Sequence, residues 1–288
     1  MFLLKKGWML TFSILCVFAI LAAGCGNGST ASSTVTPASS SAAAATTAPV
    51  KKGPSKIVVT YFPYADHLFA LGKADAVAGV VNLKSLQDFP VYDLLNPDLI
   101  IASDADQKDL EQLNKIAKTV TVKATLNWQE TIRGVAAAVE EEAAAETYVN
   151  QFLNKQTEVS TVIEKSGVKG KTALFVMPWK KGFTYWSGSR MAIYYEKLGF
   201  KPFEGMKNVG EITLEGISEL NPEYIFIGKD YTNSSEVTLD SLSQNPVWNS
   251  LSAVKNKKMF VVDTEILGPL AMGQVKGLDY MSKLFAAK

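Results

Sequence analysis

Leu95-Asn96-Pro97-Asp98-Leu99-Ile100-Ile101 returns in the second half of the chain as Leu220-Asn221-Pro222-Glu223-Tyr224-Ile225-Phe226. Both copies have the same mechanics. A proline just after a helix cannot continue it, and an uninterrupted apolar run of this length reads as a strand of a parallel sheet, buried on both faces. Outward from the first copy, strand-like runs stand at Lys56 to Tyr61, Ala76 to Val81, Asp98 to Ala102 and Thr119 to Lys123. Helix-like segments such as Ala65 to Leu71 and Gln107 to Ala117 separate them. Outward from the second copy, strands are predicted at Thr172 to Met177, Tyr224 to Gly228 and Met259 to Asp263. Helices are predicted near Met191 to Leu198, Leu214 to Leu220 and Leu270 to Phe285. Each half therefore reads as an α/β layer structure.

Between the halves, Trp128 to Lys165 is almost free of Gly and Pro and spaces Ile132, Val135, Val139, Ala143, Phe152, Val159 and Ile163 at roughly helical intervals. Two consecutive helices are expected. The second, from Glu142 to Lys165, would be about 35 Å long, enough to bridge two lobes. Glu140 to Glu142 reads as its solvated start, where carboxylates favour the positive end of the helix dipole. The length from Lys51 to Lys288 suits one large domain or two lobes, and the repeat favours two.

The N-terminal end reads as a targeting segment. Lys5 and Lys6 precede an apolar run from Trp8 to Ala22 and the small residues before Cys25. At about 15 residues the run is short of the roughly 20 a membrane-spanning helix needs. Ala22-Ala23-Gly24-Cys25 resembles a bacterial lipoprotein signal, with Ala22 where such signals usually have Leu. That resemblance implies that Cys25 is acylated and becomes the new N-terminus, so that the protein is held by lipid on the outer face of the cell membrane. Cys16, the other cysteine, falls within the segment that would be removed, which leaves no internal disulfide. Residues 26–50 are mostly Ser, Thr and Ala, too poor in large apolar side chains to offset chain entropy, and read as a tether. The 29 basic residues include Lys5 and Lys6, so the remainder stands within one charge of the 28 acidic ones, with no basic cluster of the kind nucleic acid demands.

From Lys56 to Lys288 the chain resembles the substrate-binding proteins of iron-siderophore and cobalamin ABC importers. The resemblance is carried in order by Leu68-Phe69-Ala70-Leu71-Gly72-Lys73, Asn96-Pro97-Asp98, Asn127-Trp128-Gln129-Glu130, Tyr195-Glu196-Lys197-Leu198-Gly199-Phe200, Thr213-Leu214-Glu215, Asn221-Pro222-Glu223 and Asn245-Pro246-Val247-Trp248. It implies two α/β lobes joined by one long helix, with the ligand held in the cleft between them. The expected division is a signal peptide at 1–24, a tether at 25–50, a first lobe at 51–140, the bridging helix at 141–167 and a second lobe at 168–288. It further implies a monomeric receptor, not an enzyme, that passes its ligand to a membrane permease. Glu215, seven residues before Pro222, matches the acid with which the second lobe docks on the permease. The matching first-lobe position is Pro90, so Asp88 or Asp93 would have to substitute.

Ligands of open α/β sheets bind beyond the carboxyl ends of the strands. In the second half, Trp179, Lys180, Lys181, Tyr185, Trp186 and Arg190 crowd the stretch after the strand at Thr172 to Met177, which reads as a loop and a helix start. Aromatic faces suit a bulky chelate, and Arg190, one of two arginines, suits anionic oxygens. The competing reading makes Trp179 and Trp186 packing residues. In the first half, Tyr61 and Tyr64 follow the first strand, Asn82 and Lys84 the second, and Ser103 to Gln107 the third. His67, the only histidine, lies in an apolar segment and is assigned a structural role, while Trp128 and Trp248 are expected to pack at helix starts. One histidine cannot supply the ligands of a manganese or zinc receptor, and no nucleophile elbow or phosphate-cradling Gly loop supports an enzyme. A pre-chelated metal asks less of the protein. A ferric siderophore is the expected ligand, with no intrinsic cofactor; haem, cobalamin and a surface lipoprotein without a transport role remain alternatives.

Overall fold

The computed structural model describes residues 53–81, 95–125, 127–230 and 235–286. Cys25, the tether, Lys84, Asp88 and Pro90 lie outside them. In the first sheet, β1 (Ile57–Val59), β2 (Val77–Val80), β3 (Leu99–Ser103) and β4 (Thr119–Val122) run parallel in the order β2-β1-β3-β4. The second sheet holds β5 (Ala173–Trp179), β6 (Gly182–Trp186), β7 (Val209–Ile212), β8 (Tyr224–Gly228) and β9 (Met259–Val262) in the order β7-β6-β5-β8-β9. Its β5, β8 and β9 are parallel, and β6 and β7 extend the sheet antiparallel.

Among the described residues the helices are α1 (Phe62–Ala70), α2 (Leu110–Ile116), α3 (Trp128–Ala138), α4 (Glu142–Lys165), α5 (Leu214–Leu220), α6 (Leu239–Ser243), α7 (Pro246–Ser250), α8 (Ser252–Lys255) and α9 (Ala271–Phe285). The two α/β layers and the long helix α4 between them agree with the architecture expected from the sequence.

The repeated Asn-Pro joints do more than end helices. Asn96 and Asn221 both adopt the left-handed conformation, with φ of 45° and 43°, which Asn tolerates better than most side chains. The acid after each proline then ties its strand to the start of the neighbouring one. Asp98 accepts from the backbone N–H of Ser55 at 2.7 Å and of Lys56 at 3.0 Å, and Glu223 accepts from that of Thr172 at 3.0 Å. Desolvation pushes both carboxyls up, but these bonds outweigh it and hold both below the usual carboxylate range.

Strand alternation divides the core. Ile57, Val59, Leu99 and Ile101 of the first sheet and Ala173, Phe175, Tyr224 and Phe226 of the second belong to one cluster with the buried stripes of α3, α4 and α9. The intervening residues face away from it: Val58, Ile100 and Ala102 pack with Leu113, while Leu174, Val176, Ile225 and Ile227 pack with Trp248 and Leu251. Trp128 and Trp248, 4% and 2% exposed, are packing residues near the starts of α3 and α7, as the sequence suggests.

Two sequence expectations change. The stretch after β5 is not a loop, because Gly182–Trp186 folds back as β6 and Val209–Ile212 completes the sheet as β7. Glycine and charged residues in these strands, with β7 at the sheet edge, hide the hydrophobic pattern that marks a buried strand. The helix predicted at Met191 to Leu198 is a 3₁₀ turn at Gly188–Met191 followed by a π-helical turn at Ile193–Lys197.

All the described residues belong to one compact unit, Lys51–Lys288. Helix α9 packs against α4 and α1, and Asp66 of α1 accepts from the Met272 N–H at 3.1 Å in its first turn. The same turn needs Gly273. A Cβ there would stand 2.2 Å from the Glu265 carbonyl oxygen, a backbone atom that cannot swing aside. Alanine would gain about 1 kcal/mol of helix propensity. The overlap should outweigh it, giving Gly273→Ala a net loss of about 1–3 kcal/mol in urea unfolding. Unchanged stability would mean that the turn at Thr264–Leu267 can retreat.

Candidate functional site

A cavity of about 620 Å³ opens at the carboxyl ends of β8 and β9, beside the start of α1. Lys229 and Asp230 follow β8 directly, Asp263 and Thr264 follow β9, and Phe62 supplies the edge from the first lobe. Phe62 is 55% exposed, so its ring is open to contact at the cavity edge. Trp186 and Arg190 form another wall, the guanidinium carbon 5.2 Å from the centroid of the Trp186 rings.

The route of the chain explains how these two side chains meet. Ser187 leaves β6 with its N–H bonded to the Asn208 carbonyl at 2.9 Å, and Gly188 turns left-handed with φ of 61°. A Cβ at Gly188 would lie 2.0 Å from Asn208 Oδ1, so only glycine permits this turn without displacing Asn208. The 3₁₀ turn then brings Arg190 over Trp186. Behind them, Tyr194 stacks on Phe175 at 4.7 Å and donates from its hydroxyl to the Ile266 carbonyl at 2.9 Å. That bond fixes the Thr264–Leu267 turn in the cavity wall to the buried core.

From the first lobe, Tyr61 packs edge-on against Phe62 at 5.6 Å. Burial raises its phenol pKa and the charge of Arg190 draws it back down, so the two side chains are close enough to act on one another. Tyr61, Trp186 and Arg190 are thus the candidates that the fold brings together. Four others are elsewhere. Tyr64 is fully buried and donates to the Val122 carbonyl at 2.6 Å, so its ring is core and its hydroxyl is already used. Tyr185 points to the face opposite Trp186, because neighbours in a strand alternate; it packs with the outer cluster, over Gly210. Trp179 and Lys180 sit at the tip of the β5–β6 hairpin, lining a separate hollow of about 540 Å³ with Glu211, Thr213 and Glu236. Lys180 Nζ is 3.3 Å from Glu211 there.

Glu215 is exposed in the first turn of α5, whose N-cap Thr213 accepts from the Gly216 N–H at 3.2 Å. His67 is fully buried, consistent with a structural role. Phe62, Lys229, Asp230 and Asp263 join the wall without having been among the sequence candidates. The rule that ligands sit beyond carboxyl strand ends points to the last three, since β8 ends at Gly228 and β9 at Val262.

Residues 94–266 match the sequence profile of a family described as periplasmic binding protein. An iron-uptake system-binding protein of Bacillus subtilis is 28% identical over an alignment of 189 residues that covers 62% of this chain and 58% of that protein. The Fe(3+)-citrate-binding protein YfmC of the same organism is 24% identical over 88% of both chains. Its iron(3+)-hydroxamate-binding protein FhuD is 26% identical over 90% of both. Among solved structures, the petrobactin-binding protein YclQ of Bacillus subtilis superposes with a TM-score of 0.67 at 20% identity, covering 82% of this chain and 94% of that one. FeuA of the same organism, complexed with ferri-bacillibactin, gives 0.65 at 22% identity, covering 80% and 91%.

Proposed function

The chain belongs to the periplasmic binding protein family, and on that premise we propose that it is the extracytoplasmic receptor of an ABC importer, binding a ferric siderophore and delivering it to a membrane permease. The observation that carries this reading is the cavity at the carboxyl ends of β8 and β9, where a half-buried arginine lies over a tryptophan and an exposed phenylalanine faces them from the first lobe. A coordinatively saturated iron complex presents flat organic faces and oxygen atoms. Trp186 and Phe62 would pack on the faces, and Arg190 would donate to the oxygens. The iron arrives already ligated and is cargo, not a resident cofactor.

The lobes are assigned to 51–140 and 168–288, with 141–167 as the bridge. A stiff bridge, supplemented by α9 lying on both α1 and α4, favours a small hinge motion around a largely preformed cleft. Glu215, exposed in the first turn of α5, is assigned to permease docking, together with Asp88 from the first lobe. Residues 1–24 are assigned as a lipoprotein signal and Cys25 as the acylated residue, so that the monomer hangs from the outer face of the membrane by the 25–50 tether. Among the described residues no helix is long and apolar enough to cross a membrane.

The test is a fluorescence titration of Lys51–Lys288 with ferric trihydroxamate, ferric tris-catecholate, ferric citrate, haem and cobalamin. Saturable quenching by a ferric siderophore is expected, weakened about 10- to 100-fold in Arg190→Ala, the loss appropriate to hydrogen bonds from a charged donor. Saturation by haem or cobalamin alone would move the receptor to another ligand, and silence with every compound would remove the transport reading. In cells, Glu215→Lys should abolish uptake while leaving ligand affinity unchanged. Cys25→Ala should release the protein from the membrane fraction.

A further inference from the structure

The charged groups around the cavity do not favour an anion. Among the described residues, Arg190 and Lys229 are its cations and Asp230, Asp263 and Glu265 its carboxylates. Glu265 is neutralised by Lys276, whose Nζ lies 2.6 Å away. With that pair set aside, two positive groups face two negative ones. Asp263 is exposed at the end of β9; its backbone carbonyl accepts from the Ile266 N–H at 3.2 Å, while among the described residues its carboxylate makes no hydrogen bond or close ion pair, and Lys276 feels its charge only after that of Glu265. The Asp230 carboxylate is held in place by the Ser235 N–H at 2.9 Å.

Resting on the receptor reading above, we propose that this cleft selects ferric chelates by net charge. It takes neutral or cationic complexes of the trihydroxamate type and disfavours triply negative tris-catecholates, with Asp263 as a specificity-determining residue. The physical reason is the absence of surplus positive charge among these groups. Iron bound by three hydroxamates is electrically neutral, and any net charge then comes from the rest of the chelator. Iron bound by three catecholates carries three negative charges that the chelator cannot hide. Bringing such a complex into a cleft of low local dielectric costs solvation, which only an excess of protein cations restores. Here Arg190 and Lys229 are offset by Asp230 and Asp263, so the cost is not recovered. A neutral core meets no such cost, and a free ammonium on the chelator finds an exposed carboxylate in Asp263.

The experiment keeps the iron core fixed and changes only the charge. Ferrioxamine B carries a free ammonium, its N-acetyl derivative is neutral and its N-succinyl derivative is negative. Titrated into Lys51–Lys288 with tryptophan fluorescence as the readout, affinity should fall in that order, by about threefold or more at each step, and ferric enterobactin should bind at least tenfold more weakly than the neutral complex. Asp263→Asn should flatten the series, and Asp263→Lys should invert it. Asp263 is exposed, so neither change removes a packed side chain. Tightest binding of the succinylated complex or of ferric enterobactin, or a series unaltered by both Asp263 variants, would overturn charge selection and leave the receptor reading intact. Failure of every ferric complex to bind would overturn both.

Discussion

Phe226→Ala is expected to lower the stability of the globular unit by about 3–5 kcal/mol, the range for a phenylalanine lost from a rigid core. Phe226 lies on β8, between β5 and β9, and is fully buried. Its ring stacks on Phe175 at 4.7 Å with planes 10° apart, and meets Phe200 and Phe260 at 5.6 Å each. None of these neighbours can refill the space by rotating alone, because Phe175 is itself held between Phe226 and Tyr194. The residual cavity should therefore persist and add to the lost transfer energy. For a unit of this size a loss of that magnitude lowers Tm by roughly 10 °C. Urea unfolding should show a reduced midpoint with an unchanged slope; a loss below about 1 kcal/mol would mean that the aromatic stack collapses onto itself.

His67→Leu should act in the opposite direction, and more strongly in acid. The imidazole is fully buried, and among the described residues neither ring nitrogen has a hydrogen-bond partner; the nearest carboxylate oxygen, of Asp66, is 3.9 Å from Nδ1. Desolvation lowers its pKa to about 3. In the unfolded chain the same group titrates near 6.5. As pH falls below about 6.5 the unfolded state therefore gains a proton that the folded state refuses, and stability drains away until the folded histidine also titrates. Leucine removes this loss and also an unsatisfied buried polar group. The variant should be about 1–2 kcal/mol more stable at pH 7, with a further gain of about 2 kcal/mol at pH 5.

Asp66 works against this trend in the parent protein. Burial raises its carboxyl to about 6, although the Met272 and Ala271 N–H groups pull it down. The folded state accordingly takes up that proton first, and this group adds stability as pH falls from about 6 towards 4. Its neighbours in charge, Glu265 and Lys276, form a pair of their own. The parent should thus show a shallow acid slope in which two opposed contributions hide one another, and the variant should expose that of Asp66. The measurement is Tm of both proteins from pH 7 to pH 4. A difference that stays constant across this range would show that His67 titrates normally in the folded state.

Much of the fold was legible because it rests on local rules. A proline just after a helix prevents its continuation, and the apolar runs after Pro97 and Pro222 are long and unbroken enough to mark buried strands. The bounds read for Glu142–Lys165, Leu214–Leu220 and Tyr224–Gly228 coincide with α4, α5 and β8. These segments announce themselves by periodicity, with no partner needed. Strands β6 and β7 do not, since Gly182, Gly210 and Glu211 interrupt any apolar pattern and their pairing arises only when β5 is already in place.

The site divides along the same line. By itself the sequence determined the α/β repeat, the bridging helix and the carboxyl strand ends where a ligand would be sought, because propensity and periodicity act between near neighbours. Only the tertiary structure decided which side chains face the cleft. Tyr185 and Trp186 are adjacent and chemically alike, yet one joins the outer core and the other lies under Arg190, because the register of β6 fixes their directions and register is set by distant strands. Tyr64 went to the core because the packing of α1 turns it inward onto the Val122 carbonyl, and Lys229 and Asp263 entered the cavity wall because β8 and β9 lie side by side.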